Sequence, residues 1–142
     1  MTGVKGRLPE VEPHLPMLMG MVFARLRERL AEDGPELRPS QLRVLEWLPA
    51  EGLTISELAE LVDMTTQGCG QFVRQLADLE MVEVAVADHD ARARVVRITT
   101  RGRQALAASA EVLRACDEEW AQRVGAERYR VFREVLAEVA LG

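Results

Sequence analysis

The chain has 142 residues, 48% hydrophobic and 29% charged, with a formal net charge of −5 and two cysteines. That length builds one domain with a real core, and the composition is that of an ordinary globular chain rather than a disordered one. Two cysteines make neither a disulfide framework nor a four-ligand metal site. No apolar run approaches the roughly 20 residues that cross a bilayer, and no signal-peptide pattern opens the sequence. A cytoplasmic address without membrane partners is therefore expected.

In chain order, residues 1 to about 13 carry Gly3, Gly6, Pro9 and Pro13 with little periodicity, as expected of a loosely held arm. From Leu15 to about Leu30, Leu15, Leu18, Met19, Val22, Leu26 and Leu30 form a helical stripe that Phe23 broadens. Asp33-Gly34-Pro35 ends it. Pro39 fits the first position of a second helix, where its missing N–H costs nothing. Leu42, Val44, Leu45 and Leu48 give that helix a buried side, and Pro49 closes it.

Thr54-Ile55-Ser56-Glu57 has the pattern of a capping box opening a third helix. Asp63-Met64 interrupts, and Thr65 caps a fourth helix with Cys69, Phe72, Val73, Leu76 and Leu79 at three- and four-residue steps. Two short helices joined by a few residues suggest a helix-turn-helix. Val82–Val86 and Val95–Ile98 are β-rich runs flanking the charged stretch 87–94, so a hairpin follows the helix pair. That combination is a winged helix. Thr99 then caps a long helix reaching about Val124, Gly125 breaks it, and a last helix is built on Phe132, Val135, Leu136 and Val139.

The expected fold class is mainly α (α+β): a winged helix-turn-helix with about six helices and a two-stranded β wing, in one domain spanning 1–142. Residues of about 38–103 are expected to form the DNA-binding lobe. The stripes left over on about 13–33 and 104–142 are expected to pair two chains into a homodimer. Such a dimer sets two recognition helices about one DNA turn apart, on a pseudo-palindromic double-stranded operator.

Net acidity argues against a nucleic-acid partner, but its distribution argues back. Between Ala91 and Arg103 stand Arg92, Arg94, Arg97, Arg101 and Arg103 with no Asp or Glu. A local basic patch suffices for phosphate, because fields decay within about 8–10 Å at physiological salt. On the fourth helix the apolar set leaves Thr66, Gln67, Gly70, Gln71 and Arg74 outward. Gln pairs bidentately with adenine, Thr meets the thymine methyl, and Arg74 suits phosphate or guanine. Thr65 joins capping to a phosphate contact, and Arg94 and Ser40 are expected on the DNA backbone. His89 is read as a turn histidine that can add a contact. Gly68 and Gly70 each cost roughly 1 kcal/mol of helix propensity, either for close approach to base edges or for packing.

These residues resemble the MarR family of dimeric winged-helix transcriptional regulators. The resemblance rests on Pro39-Ser40-Gln41-Leu42-Arg43-Val44-Leu45, Thr54-Ile55-Ser56-Glu57-Leu58-Ala59 and Met64-Thr65-Thr66-Gln67 with Leu76 and Leu79. Asp90-Ala91-Arg92, followed by Val96-Arg97-Ile98-Thr99 and Gly102-Arg103, completes it. It implies that Arg92 enters the minor groove while Asp90 shapes the wing tip. It implies a repressor relieved by a small aromatic effector, held between the dimerisation helices and the DNA-binding lobe. Met17, Met21, Phe23, Trp47 and Trp120 are candidates to line that pocket, with ordinary core packing as the plainer account. Thr66, Glu80, Val84 and Ala91 stand where the family often has a basic residue, glycine, arginine and arginine, so this surface is less positive than the pattern.

Cys69 and Cys116 lie on apolar faces and read as small hydrophobes. His14 and His89 lie far apart in sequence, so no metal or other cofactor is expected. Nothing offers a phosphate loop or a partnered nucleophile, so no enzyme is expected. The rival reading is a winged-helix protein-interaction module with weak or no DNA binding.

Overall fold

A computed structural model describes residues 9–87 and 90–142, with the backbone alone at Ala91. Gly3, Gly6 and His89 lie outside the described residues. Among the described residues there are six helices: α1 (Leu15–Asp33), α2 (Pro39–Glu46), α3 (Ile55–Leu61), α4 (Thr66–Asp78), α5 (Thr100–Val124) and α6 (Ala126–Leu141). Strands β1 (Leu53–Thr54), β2 (Val82–Ala87) and β3 (Asp90–Ile98) form an antiparallel sheet in the order β1-β3-β2. This is a winged helix.

Three threonines start three helices by the same chemistry. Thr54 Oγ1 accepts from the Glu57 N–H at 3.2 Å, Thr65 Oγ1 from Gly68 at 3.0 Å, and Thr99 Oγ1 from Gly102 at 3.0 Å. Each satisfies an N–H that the first helical turn leaves unpaired. At Gly34 the end of α1 closes tightly: a Cβ there would lie 2.5 Å from the Leu30 carbonyl oxygen. Helices α3 and α4 instead end through Asp63 (φ 55°) and Glu80 (φ 60°), left-handed positions that usually favour glycine.

The core belongs to the lobe. Val44, Leu45, Leu58, Val62, Cys69, Val73, Leu76 and Val96 are buried together, and Leu106 and Ile98 pack against them. By contrast α1 and α6 contain no buried residue. Leu15, Phe23, Phe132, Val135 and Val139 are exposed at 60%, 57%, 52%, 52% and 72%. Arg29 joins α1 to α5 through Glu119, with N–O distances of 2.6 and 3.2 Å. The Tyr129 hydroxyl donates to Asp117 across the α5–α6 corner, and Arg133 meets the same carboxylate at 3.0 Å.

The hairpin differs from the sequence expectation. β3 starts at Asp90 rather than Val95, so Asp90, Arg92 and Arg94 belong to a strand, not to a long charged loop. Alternating alanine and arginine is a weak strand signal by itself, and the ladder with β2 supplies what propensity lacks. Leu53↔Val96 and Thr54↔Val95 add the short strand β1, so the wing hairpin is part of a three-stranded sheet.

Candidate nucleic-acid interface

The outward face of α4 carries Thr66, Gln67, Gln71 and Arg74, all exposed, with Thr65 exposed at its N-cap. Cys69, Val73 and Leu76 anchor the opposite face, while Phe72 is half-buried. Thr65 Oγ1 is engaged as an acceptor by Gly68, which leaves its O–H free to donate. A Cβ on Gly68 would stand 3.0 Å from that oxygen, so the glycine keeps the cap open.

Gly70 is a correction. It is buried rather than outward, and a Cβ on it would meet Ile55 Cγ2 and Arg74 Nη1 at 4.0 Å. It faces the start of α3, and Arg74 folds back over it. Packing of α3 on α4 buries this position, which presents no surface to a nucleic acid, yet a Cβ would fit there at ordinary contact distance.

On the wing, Val86 pairs with Arg94 and Ala87 with Asp90, so the register shifts between Val86 and Ala87, and 91–93 have no ladder partner among the described residues. Arg92 sits at the centre of this bulge, a device that re-aims a side chain. Asp90 Oδ1 accepts from the Arg92 N–H at 2.9 Å, an Asx turn that fixes the backbone beneath the guanidinium. Arg92 and Arg74 form no ion pair among the described residues.

The other arginines of the basic stretch are occupied differently. Arg97 Nε donates to the Glu51 carbonyl at 3.3 Å, Arg101 meets Glu80 at 3.2 Å, and Arg103 Nη2 donates to Thr100 Oγ1 at 3.1 Å. Counting them with Arg92 as one phosphate-facing patch overstates the patch.

Ser40 is half-buried in the first turn of α2, beside a group that the sequence reading missed. The Arg38 N–H donates to Gln41 Oε1 at 3.0 Å. Gln75 Oε1 accepts from Gln41 Nε2 at 3.0 Å and from Arg38 Nη2 at 2.6 Å. The available signal was Gln67, Gln71 and Gln75 at four-residue spacing.

Of the five candidate pocket residues, Trp120 lines a cleft. That cleft, about 490 Å³, lies between α1, α5 and α6 and is lined by Val22, Arg25, Trp120, Arg123, Val124, Arg128, Tyr129 and Phe132. Met21, Phe23 and Trp47 are exposed and Met17 is half-buried, so the single chain does not gather the five. Both cysteines are buried, and burial pushes the Cys69 thiol up. Among the described residues no cluster of three or more His, Cys, Asp or Glu is arranged to hold a metal, and no helix is long and apolar enough to cross a membrane.

Residues 36–93 match the MarR family. No curated protein matches the chain. Among solved structures, the repressor CouR bound to a 23-mer DNA duplex is 19% identical, with a TM-score of 0.73 over 93% of this chain and 99% of that one. PcaV of Streptomyces coelicolor, in complex with its natural ligand, is 19% identical, with a TM-score of 0.70 over 94% and 97%. The Mycobacterium tuberculosis MarR-family protein RV2887, in complex with salicylic acid, is 26% identical, with a TM-score of 0.66 over 90% and 97%.

Proposed function

We propose that this chain, whose residues 36–93 match the MarR family, is a homodimeric repressor that binds a pseudo-palindromic operator and is released by an aromatic effector. One observation carries the DNA reading. A helix with exposed Thr66, Gln67, Gln71 and Arg74 is followed by a hairpin that presents an exposed Arg92, without an ion pair among the described residues. Gln67 and Gln71 read base edges, Thr65 and Ser40 donate to phosphates, and Arg92 enters the minor groove, whose A·T-rich narrowing attracts arginine. Asp90 holds the tip. Arg94 serves the backbone.

The dimer rests on the uncovered apolar faces of α1 and α6, which fit a second copy better than water. For an effector, the cleft between α1, α5 and α6 offers Trp120, Tyr129 and Phe132 as walls and Arg25, Arg123 and Arg128 as carboxylate partners. An aromatic acid suits that chemistry, and the salicylic acid complex of RV2887 provides the analogy. An effector that prefers the state with misplaced recognition helices lowers operator affinity by that preference.

The test is an operator titration across salt. If Arg74, Arg92 and Arg94 each neutralise one phosphate in both protomers, log K falls against log salt with a slope of about −5. The probe is a duplex that the protein itself selects from a random pool. A flat response from low to moderate salt refutes DNA binding and favours a protein-interaction module.

A further inference from the structure

On the DNA-binding reading above, we infer that Gln75 is a positioning residue: clamped by Arg38 and Gln41, it fixes the roll of the recognition helix and thereby the aim of Gln67 and Gln71. The three glutamines stand four residues apart on α4, so their side chains follow one another along one edge of the helix. The first two are exposed and the third is half-buried against α2. The reading edge of α4 therefore runs directly into its own anchor.

The anchor is a closed ring of hydrogen bonds. Gln41 is 6% exposed, and both ends of its amide are used: Oε1 caps the Arg38 N–H and Nε2 donates to Gln75. Gln75 Oε1 takes its second bond from Arg38 Nη2 at 2.6 Å, so both oxygen lone pairs are filled. The charged donor makes this the stronger of the two bonds. Apolar packing by Cys69, Val73 and Leu76 resists separation of α4 from the core but is non-directional, and it tolerates rotation better than a ring with fixed angles. A roll of about 10° moves an atom at the helix rim, about 6 Å from the axis, by roughly 1 Å. Bidentate pairing with a base edge tolerates about half that. Loss of the ring thus degrades discrimination between sequences, while phosphate contacts through Arg74 and Arg92 persist.

The experiment compares the full-length wild-type chain with Gln75→Met and Gln75→Glu. The probes are a duplex selected by the wild type from a random pool and a scrambled duplex of equal length. Methionine keeps length and helix propensity but accepts no such bond; glutamate keeps both acceptor sites. The expected result is that Gln75→Met lowers the ratio of selected to scrambled affinity by about tenfold, as for one lost base contact. Affinity for the scrambled duplex and the salt slope stay within twofold, and Gln75→Glu restores the ratio. If Gln75→Met fails to fold by circular dichroism, Arg38→Met opens the same ring from the exposed side, and the same fall in ratio is expected. An unchanged ratio in a folded variant overturns the inference and leaves DNA binding standing. Failure of the wild type to select any sequence overturns both, and equal losses on both duplexes reassign Gln75 to general stability.

Discussion

Replacing Arg92 with alanine tests the wing with little collateral damage. The bond that shapes the tip comes from the backbone N–H of residue 92 to Asp90, so alanine retains it. The guanidinium has no ion-pair partner among the described residues, and the residue is exposed, so removing it leaves no buried charge and no cavity. The fold and the thermal midpoint should stay as they are. Each arginine lost from the minor groove forfeits about 1.5 kcal/mol, typical of a hydrogen bond to a charged group. Two per dimer make about 3 kcal/mol, or more than a hundredfold in affinity. Removal of two neutralised phosphates also makes the salt slope shallower by about two. Fluorescence anisotropy with a labelled selected duplex, repeated at four salt concentrations, measures both quantities. Arg114→Ala is the control, because its residue is exposed on α5 and bonds to Glu111 and Glu118 of the same helix. Equal losses in the two variants, or an unchanged slope in Arg92→Ala, would remove the wing from the mechanism.

Other perturbations reach the scaffold. Gly102→Ala should destabilise by roughly 2–3 kcal/mol through overpacking, since its Cβ would stand 2.2 Å from the Met81 carbonyl oxygen; an unchanged urea midpoint would contradict this. Gly70→Ala should instead stabilise α4 by up to about 1 kcal/mol, because its Cβ finds only contacts of ordinary length, and a loss of stability would show that the site is tighter than it looks. Tyr129 is the sole tyrosine, and its phenol is pushed up to about 12 by partial burial first and then by its bond to Asp117. Native phenolate absorbance should therefore rise well above pH 10. The raised value means that its stabilising contribution is complete below the unfolded value and fades as pH climbs through about 12; a native midpoint near 10 would refute the Asp117 bond. Cys69 and Cys116 are buried, and burial holds the Cys69 thiol protonated, so neither should react with a maleimide until the chain is unfolded; rapid labelling of the native protein would reopen a redox role.

The starts of α3, α4 and α5 were legible because each is a local chemical event: a threonine oxygen three residues from the N–H it accepts. Periodicity located the lobe's apolar faces for the same reason, since one helix's own spacing decides them. Features set by a distant partner were not legible. β1 exists only because Val95 and Val96 lie opposite it, and Asp90–Arg94 become strand through register with β2. Gly70 turns inward because Ile55 arrives beside it. Arg97, Arg101 and Arg103 read as a continuous charge stripe along the chain, yet a carbonyl, a carboxylate and a hydroxyl from three places occupy them. The ring at Gln75 joins positions 34 and 37 residues away, beyond any pattern on one helix.

The terminal helices carry a consequence for every measurement of how firmly this protein holds together. A segment without interior side chains contributes little to cooperative unfolding, and its amides exchange from local openings rather than from the global event. If a second copy supplies the missing interior, mass action governs that contribution. Dilution then loosens α1 and α6 while the lobe around Leu45 and Leu58 keeps its protection, and the melting temperature climbs with the concentration in the cuvette.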